Sequence, residues 1–327
     1  MNKKLVGVIA MVIAAVGLAI TVILMKLIPM YTHLLPQHVA IWRFTIAAPV
    51  LWLILLFRKK PVGNTLKRPW WFLVIGCVYA VSSFFAVFAI QRLPSSIYVI
   101  IFFIYPSLVI LYSLIRGSAV PRLVWLGLPL SMVGMLLASI DFSSTFVVDP
   151  IGVLITVVNA GSVAAYMILS EKVFANVDDK LAGTAVVFTG AMLFSCIWIP
   201  VLGISAPTTL QGWALLVSLS VFGTLIPILA LNYGLSLLTA ARGVIIIAGQ
   251  PVVNILLGML VFKEKLTFQQ WIGGGLVILA VILLNRSPDR VSIKGAARGG
   301  KYPAREEKSL LEAGSPKESM GCTGKHL

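Results

Sequence analysis

The stretch IIIAGQPVVNILLGMLVF, residues 245–262, is apolar enough for a lipid bilayer, yet it places Gln250, Pro251 and Asn254 near its middle. A buried amide without a partner costs roughly 2–7 kcal/mol, and a proline removes a helix hydrogen bond. Two readings stay open for such a run: the amides satisfy a kinked backbone, or they face a central cavity. Working outward, a second proline sits in a similar setting at Pro106, 145 residues earlier. The same offset pairs Tyr105 with Gln250, Leu93 with Leu238, Phe88 with Tyr233 and Gly7 with Gly152. One residue more pairs Trp125-Leu126-Gly127 with Trp271-Ile272-Gly273. The chain therefore reads as an internal repeat.

Composition fixes the class. Of 327 residues, 59% are hydrophobic and 11% charged, against about 25% charged in an ordinary soluble domain. Spanning a bilayer takes about 20 mostly apolar residues. Ten such segments follow one another, at roughly 5–28, 37–57, 70–91, 95–115, 122–140, 150–170, 181–203, 212–236, 240–262 and 268–285. Their connections carry prolines, and none shows the short alternating pattern of barrel strands. The expected fold is an all-α polytopic membrane protein of ten transmembrane helices. Residues 1–148 hold the first five and residues 149–287 the second five. An odd number per half turns the second half over, so the two form inverted repeats.

The formal net charge of +15 resembles a nucleic-acid signature, but its placement argues for topology. With the N-terminus inside, 21 of the 26 lysines and arginines fall on the inner side. The bias survives removal of the tail, which orients both termini to the cytoplasm in the cell (inner or plasma) membrane. The first apolar run reaches Met25 and reads as an uncleaved first helix rather than a signal peptide. Residues 288–327 are charged and rich in Gly and Ser, the composition of a disordered cytoplasmic tail or a basic segment drawn to anionic lipid. Cys77, Cys196 and Cys322 show no metal or disulfide spacing. No metal or cofactor is expected. The partners expected are a small-molecule solute and the bilayer, not nucleic acid, with a monomer or a homodimer both open.

Polar residues inside the spans are the functional candidates. Tyr98, Tyr105 and Tyr112 recur every seven residues and share a face with Phe102. They form either an aromatic packing stripe, with Tyr98 and Tyr112 in the interfacial belts, or, for Tyr98 and Tyr105, a cavity wall. Asn159, Ser162, Tyr166 and Ser170 share another face, where Asn159 and Tyr166 are bulkier than small-residue packing needs. Tyr79, Ser82, Ser83 and Phe84 form a similar patch, although serines can bond their own backbone. Asn232 stands near the inner end of its span, where it could instead serve the short turn that follows. The candidate substrate contacts are Tyr79, Ser83, Tyr98, Phe102, Tyr105, Asn159, Tyr166, Asn232, Gln250 and Asn254. Pro106, Pro251, Gly127, Gly273 and Arg43 are read as hinge or structural positions. Arg43 lies about six residues inside the second span, where a snorkelling arginine is the simple expectation.

Three stretches resemble a known family. VFKEKLTFQQWIGGGLVILAVIL (261–283) looks like the end of an EamA domain, and VAIWRFTIAAPVLWL (39–53) resembles its Arg-Phe-x-x-Ala second helix. AVFAIQRLPSSIYVIIFFIYPSLVILYSLI (86–115) resembles its third-to-fourth-helix turn with the mid-helix proline. The resemblance covers both halves and implies the drug/metabolite transporter superfamily, with two inverted EamA repeats. It implies a secondary transporter working by alternating access, most of all an exporter of amino acids or related metabolites. Arg43 matches the family's arginine. We read its role as architectural and charge-balancing, with contact to a substrate carboxylate as the lesser alternative. Gly117-Ser118-Ala119-Val120 stands where the second half has Phe262-Lys263-Glu264-Lys265, so no symmetric role for Glu264 is expected.

Asp141, Asp149, Glu171 and Glu264 all lie at span ends, so the expected transport does not run through a central carboxylate. A nucleotide-sugar or other solute carrier of the same superfamily is the near alternative, and it should need deep basic residues for phosphate. An intramembrane enzyme is the alternative from another class, and a lipid-embedded scaffold a third. The acidic pair Asp178-Asp179 reads as a solvated loop.

Overall fold

The computed structural model describes residues 3–58, 69–93, 95–117, 122–139, 149–175, 177–263 and 268–285. The tail 288–327, Asp141 and Glu264 lie outside them. The described residues form helices and turns, with no strand among them. The helices are α1 (Lys3–Tyr31), α2 (Pro36–Phe57), α3 (Pro69–Arg92), α4 (Ser95–Phe102), α5 (Tyr105–Ile115), α6 (Arg122–Ser139) and α7 (Pro150–Phe174). They continue with α8 (Lys180–Ile197), α9 (Ile199–Leu202), α10 (Leu210–Ser220), α11 (Ile226–Leu235), α12 (Ala240–Ile247), α13 (Gln250–Phe262) and α14 (Phe268–Asn285). By length and composition, seven of the described helical segments can cross a membrane, and three shorter apolar helices accompany them.

Starts and interruptions follow local chemistry. Proline opens α2 and α7, where its missing N–H costs nothing. Asp149 caps α7 by accepting from the Ile151 amide, and Asp179 caps α8 by accepting from Leu181 and Ala182. Two interruptions fall at corresponding places. α4 gives way to α5 at Tyr105-Pro106, and α12 gives way to α13 at Gln250-Pro251. Both remain in helical backbone space, at φ −68°, ψ −23° for Ile104 and φ −75°, ψ −12° for Gly249. The chain tightens through Ile104 N–H to Ile101 and Gly249 N–H to Ile246 instead of unwinding. A third interruption is a π-helical turn over Val221–Leu225, between α10 and α11. There Thr224 donates to the Leu219 carbonyl, while Thr21 of α1 donates to the Gly223 carbonyl. The sequence indicated only that Gly223, Thr224 and Pro227 permit bending.

The packing pairs corresponding elements. α6 lies along α14, and α2 lies along α8. Arg58, just past the end of α2, bonds Asp179 at the start of α8, so those helices run antiparallel. Gln269 at the start of α14 donates to the Leu137 carbonyl near the end of α6, which makes that pair antiparallel too. α1 packs on α10, α11, α12 and α13, whereas α7 packs on α3, α4 and α5. The contacts of these two are reciprocal in detail. A Cβ on Gly7 would fall 2.8 Å from Cγ of Leu238, and one on Gly152 would fall 2.7 Å from Cγ of Leu93. At the crossing of α3 and α8 the backbones themselves meet. A Cβ on Gly76 would stand 2.0 Å from the Val187 carbonyl oxygen, and one on Gly190 would stand 2.4 Å from that of Leu73. Small residues allow such approach where apolar burial gives no drive to associate. Gly127 and Gly273 are buried on α6 and α14.

Candidate functional site

α3 is the hub. Tyr79, Ser82 and Ser83 occupy positions i, i+3 and i+4 of one helix and so project to one side. They split between two neighbours. Toward α2, Arg43 donates from Nη2 to the Tyr79 hydroxyl at 2.6 Å and from Nη1 to Ser83 Oγ at 3.2 Å. Toward α7, Ser82 donates to Asn159 Oδ1 at 2.8 Å. The Asn159 amide group donates in turn to the Tyr98 hydroxyl on α4 at 2.9 Å. Asn159 is fully buried and uses both ends of its side chain.

A second chain of bonds starts on α7. Tyr166 donates to Asn232 Oδ1 on α11 at 2.8 Å, and Asn232 Nδ2 donates to Thr184 Oγ1 on α8 at 3.2 Å. The Thr184 hydroxyl donates in turn to the Lys180 carbonyl at 2.8 Å. The two chains touch through aromatic rings, with the Tyr79 and Tyr166 centroids 5.2 Å apart. Tyr98 stacks on Phe102 at 5.5 Å, and Phe102 meets Tyr105 at 5.2 Å. A polar and aromatic seam thus runs through an otherwise apolar core and draws on α2, α3, α4, α5, α7, α8 and α11.

Arg43 does not snorkel. It is 4% exposed, and its guanidinium lies 4.9 Å from the centroid of Phe44 and 5.7 Å from that of Tyr79. The physical reason is local: two hydroxyls and two ring faces beside α2 give the cation part of what water would. Asn232 is also buried completely instead of serving the turn after α11.

Other candidates stand apart from this seam. Gln250 and Asn254 share a face of α13 and are half-buried. Asn254 Oδ1 is enclosed without a hydrogen-bond partner among the described residues. Tyr112 stands near the C-terminal end of α5 beneath Lys172, whose Nζ is 4.9 Å from its ring centroid, as an interfacial tyrosine would. Ser162 turns back to the Val158 carbonyl. Thr184 and Ser82 belong to the seam although sequence reasoning did not select them. Their only signal was their spacing from larger polar groups, because a lone Ser or Thr in an apolar helix usually bonds its own backbone.

The rims are charged. At one, Arg92 donates to Asp149 at 3.1 Å across the start of α7. That guanidinium, followed by the Ile151 amide, holds the Asp149 carboxyl below the usual aspartate value. Among the described residues, no three His, Cys, Asp or Glu side chains gather in one place.

Comparison with known proteins places this architecture. A solved crystal structure superposes with a TM-score of 0.71 at 19% identity, covering 86% of this chain and 96% of its own, which shows a shared fold. An uncharacterized transporter of Archaeoglobus fulgidus is 26% identical over 196 residues, spanning 60% of this chain and 68% of its own length. The uncharacterized inner membrane transporter YedA of Escherichia coli is 22% identical over 194 residues, spanning 59% of this chain and 63% of its own. The sequence pattern of the EamA-like transporter family matches twice, at residues 5–140 and 150–286. The chain belongs to the EamA-like transporter family and is a multi-pass membrane transporter.

Proposed function

We propose that the protein is a secondary transporter that exports amino acids or related small metabolites across the cell membrane by alternating access. Residues 1–148 and 149–287 are taken as two inverted five-helix repeats, with both termini cytoplasmic. Four facts support that layout: the antiparallel runs of α2 with α8 and of α6 with α14, the reciprocal Gly7–Leu238 and Gly152–Leu93 contacts, and the matching interruptions before Pro106 and Pro251. The observation that carries the functional reading is the buried seam from Arg43 through Tyr79 and Tyr166 to Asn232. Amide, hydroxyl and aromatic groups in an apolar core suit a solute with a polar head and an apolar body. Binding between repeats lets a rocking motion expose the solute to each side in turn.

A nucleotide-sugar carrier fits less well. A diphosphate calls for several cations, and Arg43 is the one buried arginine or lysine among the described residues. Counterflow of labelled amino acids into proteoliposomes tests the proposal. Saturable flux is expected, with Asn159→Ala and Tyr166→Phe raising the half-saturation concentration more than they reduce folded protein. Folded protein that gives no saturable flux for any amino acid removes the reading. Loss of folded protein in step with flux would make the seam a packing device.

A further inference from the structure

We propose that Arg43 is the docking cation for a carboxylate on the transported solute. This rests on the transporter reading above and names its substrate class: small carboxylates and zwitterions, as opposed to amines or neutral solutes. A guanidinium has five N–H donors in a rigid fork. Two serve Tyr79 and Ser83, and Nε is buried without a hydrogen-bond partner. The Arg58–Asp179 and Arg92–Asp149 ion pairs lie at helix ends, and among the described residues no carboxylate pairs with Arg43. A buried cation without a counter-charge is expensive, and ring faces and hydroxyls offset that cost only in part. The open donors, the fork geometry and the missing counter-charge call for the same ligand, a planar bidentate anion. Tyr79 and Ser83 then act as positioning residues: each fixes one arm of the fork and leaves the remaining N–H groups for the anion. The aromatic run from Tyr79 to Tyr166 gives the rest of such a solute an apolar, stacking wall.

The test uses the full chain in detergent and measures melting temperature against the common amino acids, benzoate and inorganic phosphate. Each carboxylate is set beside its own carboxamide. At least one carboxylate is expected to raise the melting temperature at concentrations about tenfold to a hundredfold below its amide, the discrimination of one charge-assisted contact. Arg43→Gln should abolish that preference, and Arg43→Lys, which keeps the charge and loses the fork, should retain part of it. The lysine variant also decides the matter where the glutamine variant fails to fold. The proposal is overturned if no carboxylate acts, if amides act equally, if either folded variant keeps the full preference, or if phosphate acts as strongly as the carboxylates. Counterflow separates the two readings. Flux without carboxylate preference removes the anion site and leaves the transporter, whereas carboxylate-specific stabilisation without flux does the reverse.

Discussion

Replacing Gly76 with alanine should damage the fold and the candidate site together. The added Cβ would stand 2.0 Å from the Val187 carbonyl oxygen and 2.8 Å from the Ala191 nitrogen, where ordinary contact begins at 3.4 Å. Both obstacles are backbone, so no rotamer relieves them, and α3 and α8 have to part by over an ångström. Overpacking a tight interior costs about 1–3 kcal/mol, and a backbone clash belongs at the top of that range. Alanine returns about 1 kcal/mol of helix propensity, so the net loss is about 2 kcal/mol. Tyr79 lies one turn further on the same helix, and its 2.6 Å bond to Arg43 lengthens as α3 moves away. Two assays read this: equilibrium unfolding in mixed micelles with rising SDS, and counterflow in proteoliposomes. The internal control is Gly161→Ala on α7, whose Cβ would meet nothing within 4 Å and which should be neutral or gain up to about 1 kcal/mol. If Gly76→Ala unfolds with the wild type while Gly161→Ala unfolds earlier, the close approach of α3 and α8 is wrong.

Gly152→Ala and Gly7→Ala should each lower stability through Leu93 and Leu238. Leu93→Ala should rescue the first and Leu238→Ala the second, measured by unfolding, with no cross-rescue. A double-mutant cycle of Asn159→Ala with Tyr98→Phe should return a coupling of about 0.6 kcal/mol and not above about 1.7, the span known for hydrogen bonds between membrane helices. A coupling of zero would mean the 2.9 Å bond is not formed in the folded protein. Asp149 has its folded pKa held below the unfolded value by Arg92 and the Ile151 amide. Its stabilising contribution is therefore complete above about pH 4 and fades as the pH falls through the lowered value. Asp149→Asn should flatten stability over that acid window, and added salt should shrink the difference, because the pair is exposed.

The architecture was legible wherever a residue type has one job in a membrane. Pro106 and Pro251 each announce a broken hydrogen-bond ladder, and both breaks occur where the sequence places them. Gly7 and Gly152 matched by spacing alone, and the structure gives the match a physical cause in the leucine each glycine admits. Arg43 was legible as a charged residue in a span but not in its direction. A long side chain six residues from a surface can reach out to headgroups or turn inward, and the inward partners come from α3, over thirty residues away. Ser82 was discounted, and Thr184 passed over, for the opposite reason. A hydroxyl that can bond its own helix looks self-sufficient until the neighbouring amide is known. For Asn232 the sequence left two readings open, a substrate contact or a role in the following turn, because depth in the assembly depends on where α7 and α8 cross its helix.

α1 packs on α10 through α13, and α7 packs on α3 through α5. Each half has lent its leading helix to the other. Neither of the two family-matched segments made alone would be closed, because each would present an empty seat and a helix without one. The same exchange redraws the bodies available for motion. If the protein rocks, α1 travels with the C-terminal elements and α7 with the N-terminal ones, so the chain crosses the line of parting between α1 and α2 and again between α7 and α8, and not at the joint between the two repeats. Distance probes set on either side of that joint would report little. A pair joining α1 to α2 would report the stroke.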